Sequence, residues 1–582
     1  MNDRPTVDPF TVEVIKDALV AISDEMFIAF GRTAMSTVIY EVLDYACGLI
    51  DTEGRIITQG NGVTGFLGTL TFAARQTLEK FGRANLREGD VLIVNDPYYG
   101  GGTHLSDVSL VVPIFYDDEL VAFAASKGHW TEVGGKDPGS WTTDAVEVFQ
   151  EGLQFPCVKL FDGGEPNQAV IDMIEANVRL PTLTLGDMYA QAGAMRLGQR
   201  RFVEMCDKYG WPTVHAAIED ALDYGERMTR LELAKLPDGV YEAEDFVDDD
   251  GIGNGPFPIK VEITIEGDEI TFDFTGTHPQ VPGPVNCTTT SLHSGVRTIV
   301  KAITSPEIPV NEGCFRPVKI VCPPRTIFTA ERPAPVSTYW ETMDQVTDLA
   351  WKALAPVVPD RLPAGHFLSV CGVVVAGNHP DTGELFLLVE PQAGGWGAAV
   401  DRDGEQGLMC VGDGETYVIP IEVAEARYGI TVLQFGFDTE APYGAGQFRG
   451  GRGCIRDYRA ETDLTITATF GRHKFPPWGI DGGSGGSPNE LRILREDGTV
   501  EVYGKCARVP LKKGEIARLV TGSGGGWGDP LHRPVEKVLD DVRDGYISIE
   551  TADRDYRVVV DPKTLTVIGS SGKRRERSGA TG

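Results

Sequence analysis

Two apolar runs, residues 108–115 and 120–125, flank the tetrapeptide Tyr116-Asp117-Asp118-Glu119. Short runs rich in Val, Ile and Leu on either side of a polar turn read as a β-hairpin. What makes this hairpin informative is what its open end carries. Asn95-Asp96-Pro97-Tyr98-Tyr99-Gly100-Gly101-Gly102-Thr103-His104-Leu105-Ser106-Asp107 leads into the first run, and Gly128-His129-Trp130-Thr131-Glu132 follows the second. Folding about the turn sets Asp107 opposite Gly128 and His129, with His104 on the approach loop. Antiparallel partners lie within ~5.5 Å at Cα, so the three side chains can converge on one ion.

Imidazole nitrogen combined with carboxylate oxygen suits zinc, manganese or iron better than magnesium or calcium, which prefer oxygen alone. The glycines at 100, 101 and 102 permit the backbone turns that would aim His104 inward. The plain alternative is a glycine-rich loop whose His and Asp bond only to each other and to backbone. A second histidine on the facing strand is what brings the metal reading level with it. Glu132 is read as a further ligand or a general base, or as a solvated loop carboxylate.

At 582 residues the chain can bury several cores, about two to four domains. Its net charge of −32 argues against nucleic acid, because phosphate neutralisation needs a basic surface. No run approaches the ~20 apolar residues of a membrane helix, and Met1-Asn2-Asp3-Arg4-Pro5 lacks the apolar core of a signal peptide. Ten cysteines are scattered from Cys47 to Cys506 without a Cys-x-x-Cys pair. That pattern predicts reduced thiols in a cytoplasmic protein.

The first long element, 9–37, carries Val12, Ile15, Leu19, Ile22 and Met26 at helical spacing. Residues 45–58 read as a hairpin around Asp51-Thr52-Glu53-Gly54, and 166–210 as helix-rich. From about 236 to 275 the pattern becomes strand-like: Val261-Glu262-Ile263-Thr264-Ile265 and Ile270-Thr271-Phe272-Asp273-Phe274 flank Gly267-Asp268 with alternating faces. We therefore expect a multidomain α+β chain. Residues 1–235 form a helix-led domain bearing the hairpin, and 236–570 a strand- and glycine-loop-rich region of one or two domains. Residues 571–582, with Lys573, Arg574, Arg575 and Arg577, form a mobile basic tail. The glycine clusters around 394–397, 450–453, 482–486 and 522–528 could cradle a phosphate, although such loops more often make tight turns or close backbone approaches. No Gly-x-x-x-x-Gly-Lys frame ends in Ser or Thr, so a P-loop is absent.

Several separate motifs recur in order: the block from Asn95 through Val108, then Gly128-His129-Trp130 with Gly134-Gly135, Gln150-Glu151-Gly152, Ala176-Asn177-Val178-Arg179 and Gly186-Asp187. They continue with Asp273-Phe274-Thr275-Gly276-Thr277, Gln280-Val281-Pro282-Gly283-Pro284-Val285-Asn286 and Pro309-Val310-Asn311-Glu312-Gly313-Cys314. Gly446-Gln447-Phe448-Arg449-Gly450-Gly451 follows, then Gly524-Gly525-Gly526-Trp527-Gly528-Asp529-Pro530 leading into Val542-Arg543-Asp544-Gly545. Through them the chain resembles the hydantoinase B/oxoprolinase family over most of its length.

That resemblance implies a heteromeric, ATP-dependent enzyme. ATP and magnesium would sit on a partner A-type subunit with an actin-like ATPase fold, and a divalent transition metal (zinc, manganese or iron) on the B-type subunit, which this chain looks like. By motif the metal ligands would be His104, Asp107 and His129, with Asp44 of Leu43-Asp44-Tyr45 as a fourth that spacing alone does not reach. Two reaction classes share the architecture: hydrolysis of a cyclic amide such as a hydantoin or lactam, and carboxylation of a ketone. Both begin with phosphorylation of a carbonyl-derived oxygen, and Glu132 is the candidate base in either. A metal-stabilised scaffold for the ATPase subunit, without chemistry of its own, is a third reading. One departure bears on the choice. Where family members often carry a His-Leu-Gly-Ser-Met-like segment, this chain has Phe66-Leu67-Gly68-Thr69-Leu70. Phenylalanine there would suit an apolar ring or aryl ketone, with Trp130, Trp141 and Trp396 as further candidate pocket walls.

Overall fold

The computed structural model describes residues 7–572. The N-terminal pentapeptide and, from 573 onward, the expected basic tail lie outside the described residues. The chain opens with helix α1 (Pro9–Thr33), whose Asp8 side chain caps the free amides of Phe10 and Thr11. Ile15, Leu19, Ile22, Met26 and Phe30 form its buried stripe, the spacing that fixes one face of a helix. The short helix α2 (Thr37–Tyr40) follows.

Seven antiparallel strands then form the first sheet, in the order β2-β1-β5-β4-β3-β6-β7. They are β1 (Tyr45–Asp51), β2 (Ile56–Gly62), β3 (Val91–Val94), β4 (Asp107–Tyr116), β5 (Glu119–His129), β6 (Val158–Asp162) and β7 (Glu165–Pro166). The expected hairpin is β4–β5. Asp117 and Asp118 both take positive φ, 50° and 63°, which closes a two-residue loop with the twist that antiparallel strands require. Both faces of this sheet are covered. Val108, Leu110, Val112 and Ile114 pack into the layer made by α1 and α5 (Pro181–Tyr209). Val111, Phe123 and Ala125 pack under α3 (Thr69–Phe81). Double burial explains why the strands read as continuous apolar runs instead of alternating ones. α4 (Gln168–Asn177) and α6 (Trp211–Leu233) complete this part.

The chain leaves α6 at Leu233 and enters β8 (Gly239–Val247). β8, β9 (Phe257–Glu266), β10 (Glu269–Asp273) and β11 (Val318–Val321) make a four-stranded sheet ordered β11-β10-β9-β8. Its core is shared with α7 (Thr289–Ile303) and α8 (Trp340–Leu354). These two helices lie inside a stretch expected to be dominated by short strands and glycine loops. α8 is buried almost all round, Glu341, Asp344 and Asp348 included, so it lacks the polar stripe that betrays a helix in sequence.

The remainder is strand-rich, as expected. One sheet runs Leu385–Glu390, Gly372–Asn378, Leu464–Thr469, Lys505–Leu511, and a second runs Ile430–Phe437, Cys454–Ala460, Ile516–Val520, Glu490–Leu494, Val500–Tyr503. The glycine clusters bond to one another here. Gly395 N–H donates to Gly522 O (3.0 Å), Gly524 N–H to Gly451 O (3.0 Å) and Gly526 N–H to Ser484 O (2.9 Å). A Cβ on Gly524 would stand 2.1 Å from the Trp396 backbone. Close backbone approach is what these glycines serve. Among the described residues no helix is long and apolar enough to cross a membrane.

Candidate metal centre

The open end of the β4–β5 hairpin is buried. Asp107 and His129 are register partners, and both are buried with His104. β1 lies on the other side of β5, with Tyr45 opposite Gly128. The His129 N–H donates to the Asp44 carbonyl (3.0 Å), which seats Asp44 beside the hairpin. The turn that delivers it passes through Leu43 at φ 63°. That conformation costs a branched residue roughly 1–2 kcal/mol, and such strain tends to persist where it serves a site.

His104, Asp107 and His129 each offer a ligand atom within 4.8 Å of the others. The hydrogen bonds around them say which atoms are free. His104 Nδ1 lies 3.1 Å from the carbonyl oxygen of Ser337 and donates to it, leaving a lone pair on Nε2, 3.2 Å from Asp107 Oδ1. Asp107 Oδ2 accepts the hydroxyl of Thr103. The indole N–H of Trp141 donates to His129 Nε2 (2.9 Å). His104 Nε2, Asp107 Oδ1 and His129 Nδ1 are thus buried polar atoms with no hydrogen-bond partner. Three such orphans facing one another fit a cation, since native proteins rarely leave buried polar atoms unsatisfied. Trp141 qualifies the fit at one ligand. A neutral imidazole has one nitrogen lone pair, and the indole holds that of His129.

Protonation states agree with a ligand set. Burial and the neighbouring His104 push His129 down to about 3, so it is neutral. Burial works against ionisation of Asp107, but His104, His129 and Lys127 together hold it well below the usual carboxylate range. Asp44 is raised by burial and then by the carboxylates of Asp413 and Asp107. Asp413 is pushed up to about 7 by burial, opposed by its Thr416 hydrogen bond, with Asp107 adding to the rise. Carboxylates crowded this closely repel, and a cation relieves them.

These side chains line one cavity of about 40 Å³, walled also by Phe66, Trp141, Tyr339, Trp340, Met343 and Glu390. Asp44, expected from resemblance, faces it. Asp413, Tyr339 and Trp340 come from the second half of the chain and were not foreseen. Lys127 was also missed: its Nζ donates to Gly101 O (2.6 Å) and sits 5.1 Å from the Phe66 ring centre, and burial lowers it to about 7. Of the three tryptophans expected as walls only Trp141 serves. Trp130 is buried against Gln191 (3.1 Å), and Trp396 donates to Met409 O (2.8 Å).

Glu132 is placed elsewhere. It is 0% exposed, accepts the main-chain N–H of Arg179 and pairs with that guanidinium at 2.6 Å. It does not line the cavity. The pairing is a packing device linking two of the ordered motifs, so the base role expected for Glu132 does not carry forward.

A family model described as Hydantoinase B/oxoprolinase matches residues 8–530. The chain belongs to this family. A Pseudomonas sp. (strain NS671) protein provisionally named as the B-type subunit of a D-/L-hydantoinase is 34% identical over 581 residues, covering 96% of this chain and 96% of its own. The crystal structure of ATP-dependent caprolactamase from Pseudomonas jessenii matches with a TM-score of 0.90 at 31% identity, over 96% of this chain and 97% of that one. Nucleotide-free acetone carboxylase matches with a TM-score of 0.87 over 96% of this chain and 81% of that one. At 19% identity this last likeness speaks to the fold alone.

Proposed function

We propose that this chain is the metal-carrying subunit of a heteromeric, ATP-dependent enzyme that hydrolyses a cyclic amide, a hydantoin or a lactam, after phosphorylation by a partner ATPase subunit. One observation carries the reading: the unpartnered His104 Nε2 and Asp107 Oδ1 converge with the His129 imidazole in a buried cavity. The hydantoinase relative's designation as one component of a larger enzyme and the ATP dependence of the caprolactamase support the rest. The absence of a P-loop in this chain is compatible with a nucleotide site on another chain.

Zinc, manganese or iron held by His104, Asp107 and His129, with Asp44 alongside, would supply a Lewis acid at this position. The chain's own residues do the remainder. Asp107 stays ionised and His129 neutral, as ligation requires. Phe66, Trp141, Tyr339 and Trp340 exclude bulk water and present ring faces to an apolar substrate. Asp413 has Oδ2 held by the Thr416 hydroxyl (3.0 Å), which leaves Oδ1 to hold or release a proton, and its pKa of about 7 suits acid–base work near neutrality. A cavity of about 40 Å³ takes an ion and two or three waters, at roughly 10–15 Å³ each, so a cyclic amide enters only when a wall moves.

Phe66 in the wall favours a second reading, ATP-dependent carboxylation of a ketone. Incubating the complex of this chain and its ATPase partner with ATP and labelled bicarbonate separates the two. Ring opening without label supports hydrolysis; label in an acid-stable product refutes it. In the scaffold reading, His104→Ala dissociates the complex. A variant that assembles normally but loses metal and turnover eliminates that reading.

A further inference from the structure

We propose that Glu151 is a positioning residue for His104, acting through the main chain of Val336 and Ser337. Glu151 belongs to Gln150-Glu151-Gly152, an ordered motif that no part of the metal site uses directly. Its carboxylate is buried, and Oε1 accepts two backbone amides from a segment 185 residues away, Val336 N–H at 2.7 Å and Ser337 N–H at 2.9 Å. The carbonyl of that same Ser337 accepts the Nδ1 proton of His104 at 3.1 Å. The chain of contacts therefore runs from one carboxylate oxygen, through the backbone of one residue, to the outer nitrogen of the imidazole. With the proton fixed on Nδ1, the lone pair falls on Nε2, the atom aimed at Asp107 and lacking any partner.

The surroundings show the segment being clamped rather than merely touched. The Val148 N–H donates to Pro333 O (3.0 Å), and the Thr142 N–H donates to Ser337 Oγ (2.8 Å). Gly152, at φ 129°, allows the turn: a Cβ there would stand 2.6 Å from Val133 O. That close approach holds the motif against the strand-exit loop below His129. Without Glu151 two buried N–H groups lose their acceptor, and the Ser337 carbonyl is no longer held where His104 needs it. Residues that orient a ligating imidazole in this way typically govern metal affinity by about 10–100-fold.

The inference rests on the metal reading, and its test separates the two. Co²⁺ is titrated into the full chain, with affinity read by competition against a chelator and geometry by the visible d–d spectrum. Wild type binds one Co²⁺. Glu151→Ala should bind about 10–100-fold more weakly with shifted bands. Glu151→Gln, whose amide oxygen can accept the same two N–H groups, should stay within about threefold of wild type. Wild-type affinity and spectrum in Glu151→Ala overturns the inference, as does a Gln variant that falls as far as Ala. A wild type that binds no Co²⁺ overturns the metal reading itself. Should Glu151→Ala fail to fold, Ser337→Ala decides. It keeps the carbonyl but removes the Thr142 acceptor, and should weaken Co²⁺ binding by about two- to tenfold; no change there counts against the clamp.

Discussion

Replacing either partner of the Glu132–Arg179 pair tests whether this carboxylate is a structural clamp or a base, and the two replacements should not be equal. Glu132 is 0% exposed, whereas the Arg179 side chain keeps 32% of its surface. Arg179→Ala leaves a sealed carboxylate with only the Arg179 backbone amide as donor. Removing one member of a buried pair in this way costs ~3–5 kcal/mol. Glu132→Gln is milder. The guanidinium retains solvent and its bond to Gly135 O (2.9 Å), and the amide oxygen can still accept. Exchanging a charge-assisted hydrogen bond for a neutral one costs ~1–2 kcal/mol. A chain with several cores does not unfold in one step, so the assay should be local. Hydrogen exchange at the amides of 133–137 and 179 reports opening there. At ~1.4 kcal/mol per tenfold, Arg179→Ala should speed exchange by about a hundredfold or more, and Glu132→Gln by about five- to thirtyfold. Both variants should keep their metal. If Glu132→Gln leaves exchange unchanged and abolishes turnover, the clamp argument is wrong and Glu132 is chemical after all.

Trp141→Phe removes the N–H that occupies the His129 lone pair. A competing hydrogen bond worth ~0.5–1.5 kcal/mol is then absent, so metal affinity should rise by about two- to tenfold in a chelator competition; weaker binding would show that the indole assists ligation. Metal at a hundredfold excess over its dissociation constant should stabilise the wild type by ~2.7 kcal/mol, seen as a raised melting temperature that His104→Ala abolishes together with stoichiometric metal by elemental analysis. Equal stabilisation of that variant would place the metal elsewhere. Far from the centre, burial lowers His473, but hydrogen bonds to Asp248 and Asp249 outweigh it and raise it to about 9. Its folded pKa exceeds its unfolded 6.5, so its contribution of at most ~3 kcal/mol is complete below pH 6.5 and is lost as pH rises through 9. The melting difference between wild type and His473→Gln should follow that course, and a difference that grows with pH would contradict it.

Local pattern made the N-terminal part legible. The buried stripe of α1, the β1–β2 pair and the β4–β5 hairpin each declare themselves within about thirty residues, where periodicity and turn chemistry operate. α3 escaped because Gly68 and the threonines at 69, 71 and 77 read as loop, although each of those threonines is buried. α7 and α8 escaped because glycine- and proline-rich neighbours set the tone of their region. In α8 the acidic residues point inward, so burial leaves no periodic trace.

The site divides along the same line. Asp107 and His129 are brought together by the register of one hairpin, and His104 lies on the loop that enters it three residues earlier. Asp44 needs the pairing of β1 with β5 across some eighty residues, which no spacing within a window contains. The walls are more remote still: Tyr339 and Trp340 open α8, and Asp413 follows the third sheet's first hairpin. On the proposed reading, these distant residues would set how large a ring fits and which carboxyl carries a proton. Reaction class would then depend on the part of the site that local sequence reads least. A swap between family members should show it: exchanging Phe66 for His alters which substrates turn over while leaving Co²⁺ affinity at the hairpin ligands unchanged, because Phe66 touches the cavity and Lys127 but none of the hydrogen bonds that fix the imidazoles.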